Sequence, residues 1–584
     1  VRSLAARLKS VAKHVAPMLR GDKGSRYWLL WAAPLAFLGL FYFYPLLKIT
    51  AVSFGRGQSG VVAPFVEFLA TPSLWKILGF TIWQAALSTG LTLLFGLPGA
   101  YLLARYHLPG RNLILAMTGV SFVLPTLVVA AAFNALLGPR GWVNLLLMQL
   151  FSLNQPPLHF VNTFGAILVA HVFYNTTIIL RVVGDFWAHL DPRLGQAARV
   201  LGANGWQTLR RVTLPLLAPA IVSAALLVFI FDFTSFGVAL VLGGPRFATL
   251  EVEIYNQTVS LFNLPLAAVL SLIQLGCTLT LMVMYTRLNA RLARPLSLRP
   301  RAYTQHRLIG WRRQLLAWSY LAALLGLLTL PLVGLATRSL ARIELLPTGI
   351  AFHPTLEYYR ELTVNRFNAL FYVSPLTSVA ISLGYALTTV ALALVLGLPA
   401  AWALTNRRQA ASSQVFEPLL MLPLGTSAVT LGLGFIVALD RPPLDLRASP
   451  LLIPLAHTLV AFPFVVRSLT PALSSIKPRL RQAAALLGAN PAQVFRFIDL
   501  PLIGRALFVA AIFAFTISLG EFGATALVAR PEYPTLPVMI YRFISQPGAM
   551  NYGKALALSV ILSMITAAGM LAIERFRIAD IGEF

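Results

Sequence analysis

Few side chains in this sequence are suited to chemistry, and they stand in unusual company. Asp232 lies in "FIFDFTSFG" and Glu521 in "SLGEFGATA", each inside a long apolar run. A carboxylate in such a run is expensive, and as a rule it faces a cavity, a pathway or a partner. Asp232, Ser235 and Glu521 are therefore candidates for a polar pathway, where the carboxylates would attract a cation. Bonding to backbone, or pairing with an arginine for packing, is the alternative. His171 and His457 stand at equivalent positions of an internal repeat, a pattern that speaks for inherited packing rather than metal ligation. Cys277 is the single cysteine, which excludes a disulfide framework and a thiolate metal cluster within the chain. No GxxxxGK[ST] phosphate loop occurs, since "GDKGSR" and "GRGQSG" lack the terminal Gly-Lys-Ser/Thr. Nor is there a HExxH motif or a nucleophile elbow. No enzyme active site is legible, and any nucleotide hydrolysis belongs to another polypeptide.

The elements that must position these residues are membrane spans. Of 584 residues, 58% are hydrophobic and only 11% charged, against about 25% charged in soluble domains. Runs long enough to cross about 30 Å of hydrocarbon fall near 27–50, 75–105, 113–137, 163–183, 214–242 and 263–287. A second set falls near 314–337, 371–405, 414–438, 450–469, 501–529 and 552–574. The net charge of +27 is spread in short clusters between these runs, with no basic domain to hold nucleic acid. The clusters include the 181–211 and 467–505 regions, Arg407 with Arg408, Arg575 with Arg577, and the linker "TRLNARLARPLSLRPRAYTQHRLIGWRR". They follow every second span, so the positive-inside rule places both termini in the cytoplasm. The linker is read as a topology determinant and tether, with anionic lipid or a regulator as its alternative ligand. Trp28, Trp31, Tyr42 and Tyr44 read as interfacial anchors.

The chain repeats itself. Residues 196–204 read "QAARVLGAN" and residues 482–490 read "QAAALLGAN", 286 residues later. The same shift aligns His171 with His457 and Arg181 with Arg467, and it holds as far as "FGVALVLGG" against "FGATALVAR". Upstream, "FGLPGAYLLA" (95–104) meets "LGLPAAWALT" (396–405) at an offset of about 300. The expected organisation is a basic segment 1–26, a six-span unit 27–288, a linker 289–313 and a second six-span unit 314–584. A parallel repeat of this kind implies pseudo-two-fold symmetry about the membrane normal.

Each repeated segment sits between the fourth and fifth spans of its half, within 189–213 and 475–500, on the cytoplasmic side. Pro192 and Pro478 suit the first turn of a helix. Gly202 and Gly488 can end it in a left-handed conformation, and a second short helix follows. An amphipathic helix lying among lipid headgroups is the bland alternative, but two copies at equivalent positions favour a compact docking knob.

The order Gln-Ala-Ala, then Gly, then Leu-Pro resembles the EAA loop of the membrane subunits of bacterial ATP-binding cassette (ABC) importers. The resemblance covers nearly the whole chain. It extends to fused twelve-span members of the thiamine and iron(III) importer group, and "ARYHLPGR", "LVAHVFYN", "FTSFGVALVLGG" and "TLEVEIYNQ" are most similar to the thiamine branch. It implies an all-α membrane protein of two tandem six-helix type I permease units in a bacterial inner membrane. It also implies two copies of a partner ATPase that carries ATP and Mg, and an extracytoplasmic substrate-binding protein. Gln196, Ala197, Ala198, Leu201, Gly202, Ala203 and Asn204 then form one ATPase-coupling surface. Gln482, Ala483, Ala484, Leu487, Gly488, Ala489 and Asn490 form the other. Gln196 and Gln482 replace the usual Glu, which removes a charge and leaves the helix intact. Glu251, Glu253 and Glu532, with the 337–370 segment, are expected to receive the binding protein. An ion-coupled secondary transporter and a non-transporting scaffold or sensor are the competing functions.

Overall fold

The computed structural model describes residues 22–54, 63–292, 304–346, 349–364, 373–406, 411–440 and 444–576. The basic stretch 1–21, linker residues 293–303, Arg407 with Arg408 and Arg577 lie outside the described residues. Ten described helices are long and apolar enough to cross a membrane: Leu30–Ser53, Pro72–Arg105, Thr126–Leu150, Phe164–His189, Gly205–Phe233, Leu264–Asn289, Trp311–Ser339, Thr377–Thr405, Leu452–Ser474 and Ala549–Arg575. Two more apolar segments are bent. Phe416–Gly425 turns by 98° into Ala428–Ala438, and Pro491–Leu502 turns by 72° into Gly504–Gly520. Counting each bent pair as one span gives the expected twelve.

The third span of each half is not the continuous run its sequence suggests. Arg111–Val123 stops at Leu124, whose ψ of 138° is the extended conformation that a following proline enforces, and Thr126–Leu137 starts beyond Pro125. In the second half Ser427 caps the new helix by accepting from Val429 N at 3.1 Å. One short β-hairpin interrupts the all-α pattern: Ala341–Leu346 pairs antiparallel with Gly349–Pro354.

Packing divides the chain into two compact units whose boundaries differ from those of the sequence repeat. One unit comprises 1–54 and 379–535, the other 55–378 and 536–584. The repeat divides the chain by ancestry, whereas the units divide it by contact.

In the first of these units Leu38 and Tyr42 share a core with Phe435, Leu459, Phe462 and Val466. Trp31 and Tyr42 are therefore not interfacial anchors. Trp31 is buried with its ring 4.9 Å from that of Phe416, and the Tyr42 hydroxyl shares a 2.7 Å hydrogen bond with the Thr426 hydroxyl. That internal partner removes the need for a wet interface. The side chain of Trp28 lies outside the described residues. Helices approach closely at Gly397, where a Cβ would stand 2.6 Å from Val465 Cγ1.

In the other unit Gly96 makes the equivalent approach, 2.7 Å from Ile179 Cβ. Gly96 and Gly397 are the second residues of the two aligned motifs, so the repeat is realised in the packing. Trp311–Ser339 packs on Thr126–Leu137 and on Ala549–Phe576. Gly119 leaves room for the Arg181 guanidinium, which pairs with Glu574 at 2.5 Å.

Candidate functional site

The fifth span of the first half is helical through Phe233 and breaks at Thr234. Asp232, 1% exposed, sits on its last turn. Asp232 Oδ1 accepts from Asn175 Nδ2 at 2.6 Å and lies 3.3 Å from His171 Nδ1. The imidazole also bridges two hydroxyls, Ser88 at 3.0 Å on Nδ1 and Ser235 at 2.8 Å on Nε2. Gln84 Nε2 donates to the Asp232 carbonyl at 2.7 Å. Gln84 and Ser88 are one helical turn apart on Pro72–Arg105, and His171 and Asn175 one turn apart on Phe164–His189, so each pair faces one way. Asp232 Oδ2 and Gln84 Oε1 are buried without a hydrogen-bond partner among the described residues.

A second cluster repeats this plan in the unit holding 379–535. The fifth span ends at Gly520, and Glu521 accepts from the backbone N–H groups of Ala524 (2.8 Å) and Thr525 (3.1 Å) and from the Thr525 hydroxyl (2.6 Å). These are the free donors at the start of the Gly523–Val528 helix. Its other neighbour is His457, with Nε2 3.3 Å from Oε2. His457 Nδ1 meets Ser518 at 2.7 Å, and Ser518 donates to Thr389 at 3.3 Å. Ser88 and Thr389 each stand seven residues before the aligned motifs at Phe95 and Leu396. The carboxylate and the serine have exchanged places between the halves: Asp232 with Ser235 in one, Ser518 with Glu521 in the other.

The three sequence candidates thus fall into two clusters, Asp232 with Ser235 in one and Glu521 in the other, each centred on a histidine. Neither carboxylate pairs with an arginine in the described structure. Among the described residues no group of three His, Cys, Asp or Glu side chains converges to hold a metal. Sequence reasoning missed Gln84, Ser88, Asn175 and Thr389. The usable signal was a polar stripe at helical spacing, Thr81, Gln84, Ser88 and Thr92, on an otherwise apolar helix.

The two QAA segments fold alike. Arg193–Val200 and Pro478–Leu486 are exposed helices, ended by Gly202 at φ +86° and Gly488 at φ +84°. The N–H of Gly202 reaches the Arg199 carbonyl and that of Ala203 the Ala198 carbonyl, both at 3.0 Å; Gly488 and Ala489 make the same bonds to Ala485 and Ala484. This is the Schellman closure that a left-handed glycine permits. Asn204 and Asn490 then cap the second helix through reciprocal bonds with Gln207 and Gln493. Gln196, Ala197, Leu201, Gly202 and Asn204 are exposed, with Ala198 and Ala203 half-buried. Gln482, Ala483, Leu487, Gly488 and Asn490 are exposed in the same pattern, with Ala484 and Ala489 half-buried. Leu201 is 88% and Leu487 89% exposed, a large apolar side chain at each tip.

Of the expected loop carboxylates, Glu251 is buried and accepts from Gln274 Nε2 at 2.8 Å, so it is part of the unit's interior. Glu253 accepts from Gln257 Nε2 at 2.6 Å, and Glu532 pairs with Arg530 at 3.6 Å.

Ten to twelve candidate spans among the described residues, polar clusters at broken fifth spans and two closely similar exposed hairpins define a multi-span membrane protein. Residues 93–294 match the family described as binding-protein-dependent transport system inner membrane component. The chain is 28% identical over 550 residues to the thiamine transport system permease protein ThiP of Brucella abortus (strain 2308), covering 93% of this chain and 94% of that one. It is 26% identical over 532 residues to the probable ABC transporter permease protein y4fN of Sinorhizobium fredii, covering 88% and 90%. A solved bacterial ABC transporter for import of the acidic polysaccharide alginate aligns with 46% of this chain and 98% of its own, at 20% identity and a TM-score of 0.39. Over most of its length the chain is similar to membrane permeases of ABC importers.

Proposed function

We propose that the permease carries thiamine or a thiamine derivative into the cell, powered by two copies of a separate ATPase and supplied by an extracytoplasmic binding protein. The observation that carries the two-ATPase part is the pair of matched hairpins, each presenting an exposed leucine at a glycine-closed tip. One hairpin engages one ATPase, and ATP with Mg is bound there rather than on this chain. Both hairpins and both termini face the cytoplasm of a bacterial inner membrane, and lipid surrounds the spans. The thiamine assignment rests on the similarity to thiamine transport permeases over 93% of the chain.

In this scheme Asp232, Ser235 and Glu521 border the substrate pathway. Asp232 Oδ2, which has no hydrogen-bond partner among the described residues, is the acceptor a cationic solute meets once the fifth span moves. Alternating access follows from two bundle states, each favoured by a different ATPase arrangement.

Reconstitution into proteoliposomes with the ATPase and the binding protein tests this. ATP-dependent uptake of radiolabelled thiamine is expected. Uptake of ferric iron instead would replace the cargo, and thiamine uptake without the ATPase would point to ion coupling.

A further inference from the structure

The hairpins are alike at their tips and different at their roots. In the first half, Gly205–Phe233 runs without a break from the hairpin into the fifth span. In the second half, the helix carrying the hairpin ends at Leu502 and the fifth span restarts at Gly504, turned by 72°. A push on the first tip travels along one helix, whereas a push on the second meets a bend.

What the second half lacks in continuity it has in lateral attachment. Asp499, 1% exposed, lies at the end of the Phe495–Asp499 π-turn. Its Oδ1 accepts from Arg481 Nε on the hairpin's first helix at 2.7 Å, and its Oδ2 accepts from Trp402 Nε1 at 3.4 Å. Trp402 belongs to the Thr377–Asn406 helix, and its ring also meets that of Phe495 edge-on at 6.4 Å. Through Asp499 the hairpin is joined to a span other than its own. The 286-residue shift puts Gly195, Leu209 and Thr213 where the second half has Arg481, Phe495 and Asp499. Glycine, leucine and threonine cannot build this clamp. Tyr101, the counterpart of Trp402, instead shares a 3.3 Å hydrogen bond with Tyr106 and packs on Trp187.

We propose that the two hairpins transmit ATPase movement by different routes. The first drives its own fifth span through a continuous helix. The second drives the Thr377–Asn406 helix through Asp499, a positioning residue held by Arg481 and Trp402. This rests on the reading of the hairpins as ATPase docking surfaces. The mechanical logic is that this hydrogen-bonded charge pair resists separation, because parting it leaves the buried Asp499 carboxylate without its partly exposed Arg481 partner.

The test is hydrogen–deuterium exchange on the full-length permease with its ATPase bound, in nanodiscs, comparing the nucleotide-free state with a non-hydrolysable ATP analogue. In the wild type the cytoplasmic end of Thr377–Asn406 is expected to change its exchange rate by about tenfold on nucleotide binding. In the double variant Arg481→Gly, Asp499→Thr, which gives the second hairpin the residues of the first, that change is lost while the change in Gly205–Phe233 persists. Trp402→Phe, which removes the N–H to Asp499 and keeps an aromatic ring, though a smaller one, beside Phe495, gives a partial loss and serves if the double variant does not fold. A nucleotide-dependent change in Thr377–Asn406 that survives undiminished in these variants overturns the clamp. An ATPase that does not co-purify with wild-type permease overturns the docking reading beneath it, and co-purification with every variant keeps the two apart.

Discussion

His457 lies 3.3 Å from Glu521, as His171 lies 3.3 Å from Asp232, although the two carboxylates come from different positions of the repeat. The histidine is fixed by duplication, and the carboxylate reaches it from either side of a helix break. What is preserved is a buried polar junction at the point where the fifth span loses its helical bonds.

The two carboxylates should respond differently to substitution. Glu521→Ala strips the acceptor from two backbone N–H groups and one hydroxyl, each costing about 1–3 kcal/mol when left unmet in a buried site. Asp232→Asn keeps an oxygen for the Asn175 amide and loses only the unpartnered Oδ2, so its cost should stay within about 1 kcal/mol. Thermal unfolding in nanodiscs should show a large drop in Tm for the first and a small one for the second. Lost uptake in a fully stable Asp232→Asn protein would assign Oδ2 to the transported solute.

Gly96 and Gly397 mark close helix approaches at equivalent positions of the repeat. Gly96→Ala drives a methyl into Ile179 and should destabilise by about 1–3 kcal/mol. Adding Ile179→Ala should recover part of that loss, as should Val465→Ala beside Gly397→Ala. A double-mutant cycle on unfolding midpoints measures the coupling. Purely additive effects would mean that these side chains do not meet.

Gly202 and Gly488 have open space where a Cβ would go, so strain there comes from the backbone alone. Valine at either position should cost about 1–2 kcal/mol locally and unwind the exposed tip while leaving the spans intact. Circular dichroism should be unchanged, with one ATPase copy lost for either substitution and co-purification abolished for both together. Retained co-purification with both glycines replaced would remove the hairpins from the docking role.

Much of the site was legible because duplication supplies its own control. A nine-residue segment met once is an amphipathic helix; met twice at one offset, it identifies a surface. Asp232 and Glu521 stood out for the same energetic reason that they are buried and bonded. The histidines did not, since His171 and His457 read as packing until Ser88 and Thr389, from a helix aligned at another offset, closed the networks. The breaks at Pro125 and after Pro423 were written in proline but masked by the length of the apolar runs. That Trp31 and Tyr42 pack against Phe416 and Thr426, nearly 400 residues away, is a tertiary fact without a local signal. The clamp at Asp499 was hidden because the repeat was read for its identities, and it consists of differences.

The central claim is that each hairpin holds one ATPase, and native mass spectrometry of the detergent-extracted complex tests it most directly. Leu201 and Leu487 are already exposed, so Leu201→Glu and Leu487→Glu should leave the fold untouched. The account predicts two ATPase copies per wild-type chain, one for either single variant and none for the double variant. A wild-type chain carrying fewer than two copies, or a double variant still carrying two, would contradict it.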